Sequence, residues 1–120
     1  MKGIGGNTQA IIQVKTFSKD ENGKYIRDSI GSIVKDWEDA QTIKGWLDLA
    51  SGDTRYTTYY AKIQESTHIF MADYVNLDER ISAENARMRI NGKLYDIVLI
   101  DNPMELNQQL EFYLKYTGGQ

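Results

Sequence analysis

Apolar and polar residues alternate in short runs along most of this chain, the period of half-buried β-strands rather than of helices. In residues 10–17, Ala10, Ile12 and Val14 share one face, and Gln13 and Lys15 lie on the other. Residues 18–24 (SKDENGK) are polar and predict a turn, with Asn22-Gly23 as its reversal. A second extended stretch is expected over 25–34, with a bulge or bend at Gly31. Residues 36–39 form a polar interruption around Trp37. A third strand follows over 41–49, where Ile43, Leu47 and Leu49 oppose Trp46.

Ser51-Gly52-Asp53 breaks this pattern and the period changes. Tyr56, Tyr59, Tyr60 and Ile63 recur at i, i+3, i+4 and i+7, which predicts a short helix or a structured loop near 53–65. Extended structure resumes over 67–74. There His68, Phe70, Ala72 and Tyr74 face one way and Ile69 and Met71 the other, as in a central strand. Residues 76–84 read as a polar connection. A short strand over 86–90, the hairpin dipeptide Asn91-Gly92 and a partner over 93–100 come next. Asn102-Pro103 turns the chain into a last strand over 108–116, with Leu110, Phe112, Leu114 and Tyr116 on one face.

Six or seven short strands in an antiparallel meander predict a mainly β protein, a small barrel or sandwich. Closing the sheet would remove the unpaired edges that invite aggregation. Residues 1–9 read as a flexible leader, 10–116 as a single domain and 117–120 as a frayed tail. No internal repeat, low-complexity tract or interdomain linker is evident.

Composition narrows the functional classes. The 120 residues contain no cysteine, which removes disulfides, thiol nucleophiles and cysteine-ligated metals. Net charge is −3, with acids and bases mixed and no basic stripe, which argues against tight contact with phosphates. No apolar run is long enough to cross a bilayer as a helix, and residues 1–7 lack the apolar stretch of a signal peptide.

The candidate chemistry is thin. His68 could be a general base or a metal ligand, but no second histidine or HxE spacing accompanies it, and a half-buried strand residue accounts for it better. The acids Asp36, Glu38 and Asp39, and the pair Asp78 and Glu79, could in principle act as paired carboxylates; loop acids in water are the plainer reading. Residues 3–6 (GIGG) lack the strand, helix and GK[ST] ending of a phosphate loop. Arg87, Arg89 and Lys93 beside Tyr95 could contact single-stranded nucleic acid, or could form an outer face while Met88 and Ile90 point inward. No catalytic residue, cofactor or metal is therefore expected. The eight tyrosines are the unusual feature, three of them in one segment. The Tyr56, Tyr59, Tyr60 and Ile63 face either packs on its own barrel or meets a neighbour.

Several segments in order resemble the phage head–tail joining proteins, also called head-closure or stopper proteins, of prophages in low-GC Gram-positive bacteria. The resemblance covers about residues 10–118. It is carried by Trp46-Leu47-Asp48-Leu49 before Ser51-Gly52-Asp53, by Ser66-Thr67-His68-Ile69, and by Leu110-Glu111-Phe112-Tyr113-Leu114. Its most specific part is Arg89-Ile90-Asn91-Gly92-Lys93-Leu94-Tyr95-Asp96-Ile97. Asp73-Tyr74 departs from the Arg-Tyr that many members carry, so a role for that arginine does not transfer.

The resemblance implies a small barrel that stacks as a ring of copies beneath the portal and adaptor of a DNA-filled head, seals the exit and docks the tail. It implies partners in its own copies, the portal or adaptor and the tail proteins, with no specific nucleic-acid binding and no membrane. The implied location is the host cytoplasm during assembly and the head–tail interface of the virion. The projecting channel loop of such proteins maps to 51–64, naming Ser51, Gly52, Asp53, Arg55, Tyr56, Tyr59, Tyr60 and Ile63 as interface candidates. The competing readings are a tail-terminator ring, a nucleic-acid-binding barrel of OB type and, least supported, a small enzyme.

Overall fold

The computed structural model of the chain describes residues 3–49 and 66–117. Within them six strands form one closed antiparallel barrel: β1 (Thr8–Phe17), β2 (Lys35–Leu49), β3 (His68–Asp73), β4 (Ala86–Ile90), β5 (Lys93–Asp101) and β6 (Gln109–Tyr116). Around the barrel the order is β1-β2-β3-β6-β5-β4, and the β1–β4 pairing closes it. The only helical turns among the described residues are 3-10, at Ala83–Asn85 and Pro103–Glu105. The mainly β architecture is the one that the alternating pattern predicts, with six strands and a closed barrel rather than a sandwich.

The period-2 pattern becomes the core directly. Ala10, Ile12 and Val14 of β1 stand opposite Ile90, Met88 and Ala86 of β4, and all six are buried. Phe70 faces Phe112 across β3 and β6, with ring centroids 6.4 Å apart. Tyr95 and Ile97 of β5, with Leu110 and Leu114 of β6, complete this interior. Two bulges bend the wall. One falls at Ile12/Gln13, opposite the step from Gln41 to Asp39, and buries Gln13, whose amide donates to Asp39 Oδ1 at 2.8 Å. The other falls between Ile97 and Leu99, after which Ile100 rather than Leu99 stands opposite Phe112 and packs against the core. An extra residue in one strand reverses the inward parity beyond it.

Two local expectations need correction. The polar residues 36–39 are not an interruption but the first part of β2, a single strand from Lys35 to Leu49. Their side chains are mostly exposed, so this end of the ladder runs beyond the barrel and carries no burial pattern. The stretch 25–34 is not a strand. It contributes to two small hairpins, described below, that repeat one eight-residue pattern where no internal repeat is expected.

The connection between β3 and β4 closes one barrel end. Tyr74, Leu77, Ile81 and Ala83 pack against the core. Gln41 ties this loop to β2, donating to the Asn76 carbonyl (3.1 Å) and accepting from the Asp78 amide (2.8 Å). Asp78 accepts from the Arg80 side chain and from the Arg80 amide, and these bonds hold its carboxyl down at about 2. Arg80 reaches Glu38 of β2 as well, at 3.3 Å. A carboxyl depressed in the folded state stabilises the fold above its unfolded value of 3.8, and this contribution is lost as pH falls through about 2. Asp78→Asn is therefore expected to lower the neutral plateau of a urea-midpoint-against-pH curve while changing its acid end little, and so to flatten the acid limb in that window. A limb of unaltered steepness would show that other carboxyls control it.

Residues 3–7, expected as part of a leader, run beside the barrel. Asp73 Oδ1 and Oδ2 accept the amides of Ile4 (2.6 Å) and Gly5 (3.0 Å), and Trp46 Nε1 donates to the Ile4 carbonyl (3.0 Å). The residue that departs from the resembled Arg-Tyr pattern thus has a local partner of its own.

Candidate functional site

The predicted interface residues Ser51, Gly52, Asp53, Arg55, Tyr56, Tyr59, Tyr60 and Ile63 lie outside the described residues. The strand ends that flank them adjoin, since Leu49 of β2 stands opposite His68 of β3. At this end His68 sits edge-on to Tyr95 (centroids 5.1 Å apart) and to Tyr116 (6.3 Å), with Thr67 Oγ1 2.8 Å from its Nδ1. The same hydroxyl accepts the Tyr116 amide at 2.8 Å. Burial pushes the Tyr95 phenol up, with Tyr116 adding to the shift. His68 is therefore framed by a hydroxyl and two phenol rings, and among the described residues no carboxylate is hydrogen-bonded to it to orient it as a base.

The hairpin β4–β5 alternates as expected, with Met88 and Ile90 inward. Arg87 points outward but is occupied. Its Nε donates to Gln13 Oε1 (2.8 Å) and its guanidinium lies 4.1 Å from the Trp37 ring centroid, a cation–π contact. Arg89 stands opposite Ile11 and Leu94, and Tyr95 is buried. The arginines and Tyr95 thus do not share one exposed face. Asp36, Glu38 and Asp39 are also spread out, bonded respectively to the Trp37 amide, to Arg80 and to Gln13.

The surface feature that the sequence reading missed is the tip joining β1 to β2. Two hairpins, bridged at Lys19/Tyr25 and Arg27/Ile33, are built alike. In the first, Asp20 Oδ1 accepts the amides of Asn22 (2.9 Å) and Lys24 (3.0 Å), and Gly23 takes φ +81°. In the second, Asp28 Oδ1 accepts the amides of Ile30 and Ser32 at 3.0 Å each, and Gly31 takes φ +88°. An aspartate that bonds amides two and four residues on fixes such a turn, and glycine alone tolerates the positive φ without strain. At their base Ser18, Ile26 and Val34 close a ring of three backbone hydrogen bonds, 18→34, 34→26 and 26→18, of 2.8–2.9 Å. The recoverable signal is the spacing itself: Asp-x-x-Gly at 20–23 and again at 28–31.

This braced tip presents apolar groups to water. Ile30 is 84% exposed, and Phe17, Tyr25 and Ile26 are exposed too. Phe17 and Tyr25 meet edge to face and Lys19 lies over the Tyr25 ring, yet no described element covers the group. Organised apolar side chains left in water mark an interaction surface more often than a packing need. Asp20→Ala with Asp28→Ala is expected to remove slow hydrogen exchange at the Lys24 and Ser32 amides and leave the barrel amides protected, a local loss of about 1 kcal/mol per turn. Loss of protection in β3 or β6 would mean that the tip holds the barrel.

A second exposed group lies on the β5–β6 loop. Asn102 and Asn107 clamp it through two hydrogen bonds, 2.8 and 3.1 Å. Between them Met104 and Glu105 sit at φ 55°, a left-handed conformation costing a non-glycine residue about 1–2 kcal/mol. The strained loop holds Met104 (86% exposed) and Leu106 (55%) outward.

Neither a protein-family model nor a curated protein sequence matches this chain. Solved structures share its fold, among them the following two. A protein of Shigella flexneri 2a, solved in solution, matches all of this chain with all of its own length at TM-score 0.57 and 18% identity. A chain in the virion of a native gene transfer agent particle matches 94% of this chain with 96% of its own length, at TM-score 0.55 and 12% identity.

Proposed function

We propose that this chain is a non-enzymatic structural protein of a tailed phage or phage-like particle, and that copies of it form the ring that closes the head beneath the portal and adaptor and receives the tail. The observation that carries this reading is the end-to-end match of its barrel to a chain of a gene transfer agent virion. The segments resembling head-closure proteins agree with it. The surface agrees as well, because the organised exposed features among the described residues are apolar patches suited to contact.

Two properties fit the proposed place. β2 alone spans 15 residues, about 50 Å at strand rise, from the tip to the strand ends that flank residues 50–65. One subunit can thereby offer separate surfaces to a component above it and a component below. The net charge of −3 per copy repels phosphate, so a ring of copies would not hold the DNA that passes through it.

The test is genetic and biochemical. Particles made without this protein should have heads that package but leak DNA and fail to join tails, and mass spectrometry of purified virions should detect it. Its presence on isolated tails and absence from isolated heads would favour a tail-terminator ring instead. Leak-proof heads made in its absence would refute the head-closure role.

A further inference from the structure

We infer that neighbouring copies join head to tail, with the β1–β2 tip of one subunit seated against the Met104–Leu106 loop of the next. This inference rests on the proposed ring and names the contact that builds it. It follows from where the barrel puts its two uncovered apolar groups. In the order β1-β2-β3-β6-β5-β4, the β1–β2 and β5–β6 pairs occupy opposite walls, separated by β3 on one side and β4 on the other. β1 and β5 run in the same direction, so the tip after β1 and the loop after β5 emerge at the same end. Two different patches on opposite walls at the same end suit a rotationally closed, heterologous assembly. A two-fold dimer would instead require one self-complementary patch.

The occupant is a second copy because the two patches match in charge and character. Residues 101–111 hold Asp101, Glu105 and Glu111 and no lysine or arginine. The tip balances Lys19, Lys24 and Arg27 against Asp20, Glu21 and Asp28; Asp20, Asp28 and Arg27 are bound within their own turns, which leaves the two lysines to meet the acids of the loop. Apolar Ile30, Tyr25 and Ile26 would meet Met104 and Leu106 within this charge pairing. Both partners are held in shape beforehand, by the aspartate-braced turns and by the Asn102–Asn107 clamp, so little ordering is needed on contact. So few side chains cover less area than a stable pair needs, about 800 Å² a side. Single contacts are therefore weak, and closure of the ring supplies the avidity that one contact lacks.

The absence of cysteine allows a clean test in the full chain, because every disulfide then comes from introduced residues. Ile30→Cys and Met104→Cys alter exposed positions and should leave the fold intact. After oxidation at high protein concentration, each single variant should stay monomeric, an equimolar mixture of the two should give a dimer, and the double variant should give a ladder of multimers. Dimers from either single variant alone, at the yield of the mixture, would replace the head-to-tail contact with a two-fold one. Native mass spectrometry of the unmodified concentrated chain reads the ring separately. Rings without any tip-to-loop cross-link would overturn this contact and leave the ring standing. Cross-linked chains that never close would keep the contact and remove the ring. Neither cross-links nor multimers would overturn the contact.

Discussion

Gly45→Val is expected to unfold the barrel, or to cost it at least about 3 kcal/mol, a large share of the 5–15 kcal/mol that holds a domain of this size. Gly45 is buried in β2, between Thr8 of β1 and Ala72 of β3. A Cβ built there runs into the Met71 carbonyl and lies 2.8 Å from the Phe70 ring. Phe70 cannot yield, because it is fully buried against Phe112. On its own side Gly45 is also the surface against which Gly6 passes, where a Cβ on Gly6 would strike the Gly45 backbone. Alanine already collides, and valine adds two methyl groups that only a displaced strand could admit. Gly23 and Gly31 make the control. A Cβ there meets open space and the penalty is only that of positive φ, about 1 kcal/mol. Urea denaturation followed by circular dichroism separates the cases. A Gly45→Val midpoint near that of Gly23→Ala would mean that the wall between β2 and β3 is looser than this geometry.

What could be read from the sequence divides along the same physical line as burial. The β4–β5 hairpin was legible because Asn91-Gly92 supplies the reversal, at φ 53° and 78°, and because β4, and β5 as far as Ile97, bury every second residue. β3 and β6 were legible for the same reason. The early part of β2 was not, because it pairs with β1 beyond the barrel body, where no core exists to select apolar residues. The Tyr25–Val34 stretch looked extended because its apolar residues suggest a buried face, whereas Tyr25, Ile26 and Ile30 are exposed. Periodicity reports packing within the chain and is silent on apolar groups left in water. The same limit applies to the site. Tyrosine enrichment and the family resemblance both point to residues 51–64, outside the described residues, while the exposed groups that the fold does organise depend on turn chemistry and strained loop backbone. Of these, the Asp-x-x-Gly repeat was present in the sequence but carries meaning only once both turns are seen to meet at Ser18, Ile26 and Val34.

Excising the tip should separate folding from assembly completely. Replacing residues 19–33 by Asn-Gly would join Ser18 to Val34, already hydrogen-bonded at 2.9 Å, through a two-residue hairpin turn. All fourteen core residues among those described lie outside the excised segment, so none of their contacts is removed. A shorter loop also lowers the entropy of closing the hairpin, and the melting free energy should stay within about 1 kcal/mol of the full chain. The exposed Phe17 edge loses Tyr25, a pair worth about 1 kcal/mol at most, which sets the size of any deficit. Assembly should fare differently. If the tip is the contact between copies, the shortened chain should remain a monomer at concentrations where the full chain associates. In the particle it should leave DNA-retaining heads at the level found without the gene. Sedimentation and particle yield measure these two effects, and the urea midpoint measures the first. A shortened chain that folds and still restores full particle yield would assign the contact elsewhere. One that fails to fold would make the tip a structural element, with its apolar side chains serving the subunit itself.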